Sequence, residues 1–231
     1  LYFLLVLIKT NTLLAQKSIL YTNDLKDFDR AVSLYKDNQY ASAQYLFEKV
    51  KIASDNEETK SDCAFYDASC AVRLGHANAD VLMESFLEEY PTSSKSNQAY
   101  TEVAHYYFNQ GNYKEALHWF EKVDESQLSV ADKDRFNFQK GYSFFSSNNK
   151  KEASKYFNKV QKSETYGSQA KYYLGFMAYE GDNYQEANKY FDAVSKDEKY
   201  SEKLSYYQAD MSFKSGDFDK AIAEGQKAMG Q

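Results

Sequence analysis

Along this 231-residue chain a small residue is followed four positions later by a large apolar one, again and again: Ala43/Phe47, Ala116/Phe120, Ala153/Phe157 and Ala187/Phe191. Weaker copies stand at Ala79/Met83 and Ala221/Gly225, and the steps from one small residue to the next are 36, 37, 37, 34 and 34. A period of this length signals supersecondary units that cannot bury their apolar faces alone and must stack. The rest of each unit agrees. About three residues before the small residue comes Tyr40, Tyr113, Tyr184 or Phe218, preceded by a breaker such as Asp37-Asn38, Gln110-Gly111-Asn112, Gly181-Asp182-Asn183 or Ser215-Gly216-Asp217. These breakers are turns.

Upstream of each turn runs another segment of helical apolar spacing with a small residue near its middle: Ala31, Ala68, Ala104, Gly141, Gly175 and Ala209. A small residue there lets two helices approach, and the aromatic of the second helix fills the space opposite. The spacing predicts first helices over 24–36, 58–74, 95–109, 130–147, 166–180 and 200–214. Second helices are predicted over 40–53, 78–90, 113–124, 150–161, 184–195 and 218–229.

From Leu174-Gly175 through Phe191, from Val103-Ala104 and Tyr107 through Phe120, and from Gly141 through Phe157, the chain resembles the tetratricopeptide-repeat family. That family carries Leu-Gly-x-x-Tyr on its first helix and Ala-x-x-x-Phe on its second. The resemblance covers roughly residues 24–230. It implies an all-α fold, a right-handed superhelical solenoid of about six antiparallel helix pairs. Three departures qualify it. The second unit, Gly75-His76-Ala77-Asn78-Ala79, is one residue short in its turn and has Met83 for the aromatic, which predicts looser packing. The family's early Trp is absent, since the only Trp is Trp119 on a second helix. The last unit has Gly225 where the large residue belongs, which predicts the weakest second helix.

Composition agrees with a helical chain and narrows its partners. Hydrophobic content of 43%, charged content of 27%, one Pro and nine Gly leave apolar material for a continuous core and few breakers. A net charge of −6, with Lys and Arg interleaved among Asp and Glu, argues against nucleic acid and against an anionic membrane surface. Chemistry-bearing motifs are sparse. His76, His105 and His118 lack the spacing of a helical metal site, and no nucleophile elbow or phosphate-cradling loop occurs. Cys63 and Cys70, seven apart on one predicted helix, lie about 10 Å apart along its axis and are beyond disulfide reach. The chain is therefore expected to be no enzyme and to use no cofactor or metal.

Residues 1–16 read as a secretory signal peptide truncated at its start: an apolar run from Leu1 to Ile8, too short to span a bilayer, then Leu13-Leu14-Ala15-Gln16 with a cut near Ala15. This run resembles the signal peptides of Bacteroidetes envelope proteins and predicts a periplasmic or outer-envelope location. Residues 17–231 form the repeat domain, expected to continue beyond 231, because Ala228-Met229-Gly230-Gln231 ends on a second helix without a polar cap.

In the family the first helices line the concave face. Carried over, this places Phe108, Phe138, Tyr142, Phe145, Tyr172, Phe176, Tyr179, Tyr206 and Phe213 there, an aromatic surface suited to a protein or peptide partner and also to a glycan. The family's clamp for a C-terminal carboxylate is missing, since Phe28 and Val32 occupy its places. The expected function is a protein–protein interaction scaffold of the cell envelope. A glycan-capture protein and the sensor part of a larger signalling protein are the alternatives. The first lacks here a lipidated Cys and long loop insertions.

Overall fold

The computed structural model describes residues 25–229, so the leader expected over residues 1–16 lies outside them. Two compact units divide the chain, the first ending at Tyr106 and the second beginning at Tyr107. Among the described residues there are twelve α-helices, one short 3-10 turn at Glu125–Gln127, and no strand.

The first unit holds α1 (25–36), α2 (Tyr40–Ala53), α3 (Glu57–Leu74), α4 (Ala79–Glu89) and most of α5 (Ser96–Asn109). Its core gathers Ala31, Ala43, Phe47, Val50, Cys63 and Cys70, with the Phe47 ring stacked on Tyr66 at 4.9 Å. Both cysteines are free and buried, and burial pushes each thiol up to about 12, which keeps them unreactive apolar filler. The looser packing expected around Met83 is present, since α3 and α4 pack less closely than the pairs α7/α8, α9/α10 and α11/α12, but it opens no exposed gap. Met83 and Phe86 are both buried, and Phe86 packs edge-on to Phe65 at 5.7 Å, so the ring missing at position 83 is supplied one turn later.

The second unit holds α6 (Tyr113–Phe120), α7 (Val130–Ser146), α8 (Lys150–Lys159), α9 (Gly167–Glu180), α10 (Tyr184–Asp192), α11 (Glu198–Lys214) and α12 (Phe218–Met229). One core cluster forms around Phe138, Ala153, Phe157, Val160, Ala170 and Leu174, another around Ala187, Phe191, Val194, Tyr200, Leu204 and Met211. Both are built from the helix-borne small/large pairs of the sequence period. An ideal Cβ at Gly141 would stand 3.2 Å from the ring of Phe157, and one at Gly175 only 2.6 Å from that of Phe191. These glycines are where the two helices of a pair touch.

Each hairpin turns through one residue with positive φ: Asn38, Gly75, Gly111, Asn148, Asp182 and Gly216. The left-handed conformation is open to Gly and tolerated by Asn and Asp, whose short side chains bond locally, and it is costly for other residues. The helix that follows is then capped. Asn112, Asn149 and Asn183 accept from the backbone N–H of Glu115, Glu152 and Glu186, three residues on. Asn148→Gly is expected to leave stability within about 0.5 kcal/mol, whereas Asn148→Val is expected to cost about 1–2 kcal/mol in urea unfolding. Equal midpoints for the two would show that the turn does not depend on that conformation.

Candidate partner-binding face

In the second unit the aromatic side chains expected on the concave face lie on the first helices α7, α9 and α11, with Phe108 on the last turn of α5. Tyr142 of α7 lies 5.8 Å from Phe108, 5.3 Å from Tyr113 and 5.3 Å from Tyr173. Phe145, one turn on, meets Tyr173 at 5.1 Å and Phe176 at 6.0 Å. The chain of rings continues through Phe176 and Tyr207, 5.7 Å apart, to Tyr179 and Tyr207 at 5.1 Å. All these contacts are edge-on or tilted, the geometry the ring quadrupole favours.

The rings are not equally available. Phe138 keeps only 8% of its surface, stacked on Tyr166 at 4.9 Å, and serves the core. Tyr172 is half-buried and stacks on Tyr200 at 4.8 Å, and burial, with a hydrogen bond to Tyr207, raises its phenol above the ordinary value. Phe108, Tyr142, Phe145, Phe176 and Tyr179 are half-buried. Tyr206 and Phe213 of α11 are exposed. The family resemblance implied one face for these residues, but it could not tell which rings the following helix would cover.

A polar anchor fixes the end of this row. The Tyr179 hydroxyl donates to Asp210 Oδ2 at 2.6 Å, and Lys214 Nζ bonds the same oxygen at 2.8 Å. The bond to Asp210 pushes the Tyr179 phenol up to about 12, and the Lys214 ammonium, with Tyr179, holds the Asp210 carboxyl below its ordinary value. The partners of Asp210 lie on α9 and one turn along α11, so no single helix pattern shows this contact.

The first unit carries a different arrangement on α1, α3 and α5. Arg73 Nε donates to the Tyr35 hydroxyl at 2.7 Å, Tyr35 bonds Ser69 Oγ at 2.7 Å, and Ser69 donates to Glu102 Oε2 at 2.5 Å. The Arg73 guanidinium stands 3.7 Å from Glu102 Oε1 and 5.2 Å over the Tyr35 ring. Ser69 is fully buried, so this relay has no open nucleophile, and it ties three successive first helices together. No periodicity flags it, because its members share no motif and meet only when the helices stack. Among the described residues no cluster of His, Cys, Asp or Glu has the geometry to hold a metal, and no helix is long and apolar enough to cross a membrane.

Tetratricopeptide-repeat family models match residues 98–123, 134–165 and 178–231. No curated protein of similar sequence matches the chain. Among solved structures, MamA AMB-1 is similar at 18% identity and a TM-score of 0.62, over 77% of this chain and 92% of its own. A tetratricopeptide-repeat protein from Parabacteroides merdae aligns at 14% identity with a TM-score of 0.60, covering 89% of this chain and 78% of that one. Pseudomonas aeruginosa PilF aligns at 14% identity with a TM-score of 0.58, covering 88% and 89%. At these identities the likeness is one of fold, and together with the family matches and the six-fold recurrence of turn and small residue, four times with a ring, it shows that the chain is a member of the tetratricopeptide-repeat family.

Proposed function

We propose that the chain is a non-catalytic scaffold of the cell envelope that binds a protein or peptide partner through the first-helix aromatics of its second unit. The observation that carries this reading is the run of half-buried rings at Tyr142, Phe145, Phe176 and Tyr179. Each is held by neighbouring rings, so little side-chain freedom remains to be lost, and each residue stays partly exposed. Rigid, partly exposed aromatics are the side chains on which interfaces concentrate their binding energy. The net charge of −6 supports a protein ligand over a polyanion. Family membership supports the same class, and the apolar leader supports export.

Photo-crosslinking tests the face without removing its packing. A para-azidophenyl side chain in place of Phe145 or Phe176 keeps the ring and adds only a narrow azide, and in envelope extracts it is expected to trap one discrete partner. The same group at Tyr45, an exposed residue of α2, serves as the control. Tyr142→Ala with Tyr179→Ala, checked for an intact helical signal at the assay temperature, is expected to abolish that adduct. Adducts only from position 45, or a full-strength adduct in the folded double variant, would remove the aromatic row as the binding face. Mass spectrometry of the purified native protein is expected to find its first residue near Gln16. A cytoplasmic protein that retains residues 1–16 would defeat the envelope assignment.

A further inference from the structure

Among the residues of the second unit, one aromatic recurs per first helix in a fixed register. Four residues after the small residue of α5, α7 and α9 stand Phe108, Phe145 and Tyr179, all three half-buried. Two further half-buried rings fill the intervals. Tyr142 lies 5.8 Å from Phe108 and 6.2 Å from Phe145, and Phe176 lies 6.0 Å from Phe145 and 6.4 Å from Tyr179. Five rings thus run in an unbroken row, and three of them repeat at the interval of the helices that carry them.

That interval favours one ligand conformation. Helices packed side by side stand about 8–10 Å apart. A polyproline II chain has three residues per turn, so every third side chain faces the same way about 9 Å further on. A β-strand repeats its face about every 7 Å and falls out of step within two helices. Hydrogen bonding points the same way. The Tyr142 hydroxyl bonds those of Tyr113 and Tyr173, and three hydroxyls joined by two bonds leave one O–H to donate outward. A proline-rich chain offers backbone carbonyls that it does not bond itself and few N–H groups in need of an acceptor, whereas an α-helix keeps its carbonyls for its own backbone. Charge agrees with both. The five rings carry none, and the charged groups beside Tyr179 are matched within the protein: Asp210 by Lys214 at 2.8 Å, and Glu180 by Lys150 at 3.0 Å. An uncharged segment is the complement of such a surface.

We infer that this row receives a proline-rich segment of the partner protein in the polyproline II conformation. Every third residue of the segment rests against Phe108, Phe145 and Tyr179 in turn, and a backbone carbonyl between the first two accepts from the tyrosine hydroxyls around Tyr142. Such a chain is ordered before it binds, and the rings are held by one another, so neither side has much freedom to lose. The inference rests on the scaffold reading and adds to it the chemistry of the partner.

The probe is fluorescently labelled decaproline, about 31 Å long and so able to reach all three positions. With the 231-residue chain it is expected to bind saturably in fluorescence anisotropy. The mirror-image peptide of D-proline, equal in composition and apolarity, is expected to bind about tenfold more weakly or not at all. Phe145→Leu with Phe176→Leu keeps apolar volume but removes the ring faces, and is expected to weaken binding about tenfold or more. Tyr142→Phe keeps the ring and loses only the hydroxyl, and is expected to weaken it about fivefold. Should the double variant melt below the assay temperature, Tyr142→Phe decides by itself. Tyr45→Ala, on α2, is expected to change nothing. No binding, equal binding of the D-peptide, or binding indifferent to the variants that fold would overturn the inference. A partner trapped at position 145 or 176 from envelope extracts, with decaproline unbound, would remove the proline-rich ligand and leave the scaffold reading standing. Failure of both experiments would remove the two together.

Discussion

Truncating Phe191 to Ala is expected to cost about 3–5 kcal/mol and to lower the melting midpoint of a chain this size by about 10 °C. The ring is fully buried, lies against Gly175 on its own pair and stacks on Tyr207 of the next first helix. Its removal leaves a void that neither helix can close, since α9 and α10 are held by Ala187 and Leu174 on either side and by the turn through Asp182. Phe157, between Gly141 and Tyr173, is expected to behave alike. Tyr45, exposed on α2, is the control, and its change to Ala is expected to stay within about 0.5 kcal/mol. Urea unfolding measures all three. A Phe191→Ala midpoint equal to that of Tyr45→Ala would mean that the assigned pairing of α9 with α10 is wrong.

Filling the contact from the other side is expected to be nearly as damaging. A methyl group at Gly175 would arrive 2.6 Å from Phe191 Cε1 and 2.7 Å from Cδ1, and the ring has no room to retreat. Helix propensity favours Ala over Gly by about 1 kcal/mol, but overpacking a closed core costs about 1–3 kcal/mol, so the clash wins. Gly175→Ala should therefore destabilise and Gly175→Leu should do so by about 3 kcal/mol or more. Gly141 is the informative comparison. Its nearest neighbours would stand 3.1 Å and 3.2 Å away, close enough for the penalty and the propensity gain to offset each other, and Gly141→Ala is expected near neutral. Combining Gly175→Ala with Phe191→Leu should recover part of the loss, because the smaller side chain returns the space. Additive losses would show that the two residues do not share one contact.

The aromatic row shows how far the sequence reaches. The family resemblance implies one face for Phe138 with Phe145 and for Tyr172 with Tyr179, and a seven-residue step along a helix puts each pair on one side of it. It could not assign exposure. Phe138 is buried by Tyr166, which lies just ahead of α9, while Tyr206, at the matching position of α11, stands open because no described residue reaches it. The relay Tyr35–Ser69–Glu102–Arg73 was out of reach for a related reason. Its members come from three helices, and a hydrogen bond between them depends on rotation and separation that the one-dimensional pattern does not contain.

By itself the sequence determined the helices and their pairing. Alternation of small and large residues at a fixed interval, with Asn, Asp or Gly at each turn, leaves the backbone few choices, since local sterics and caps act over four or five residues. Even the vacancy at position 225 is written there, as one glycine where five earlier units have Phe or Met. Only the tertiary structure decided what those residues do. Whether a ring is core or surface, whether Asp210 is free or held by Tyr179 and Lys214, and whether Met83 leaves a gap that Phe86 closes all depend on the neighbouring helix. Burial is a property of the stack, and a single repeat does not carry it.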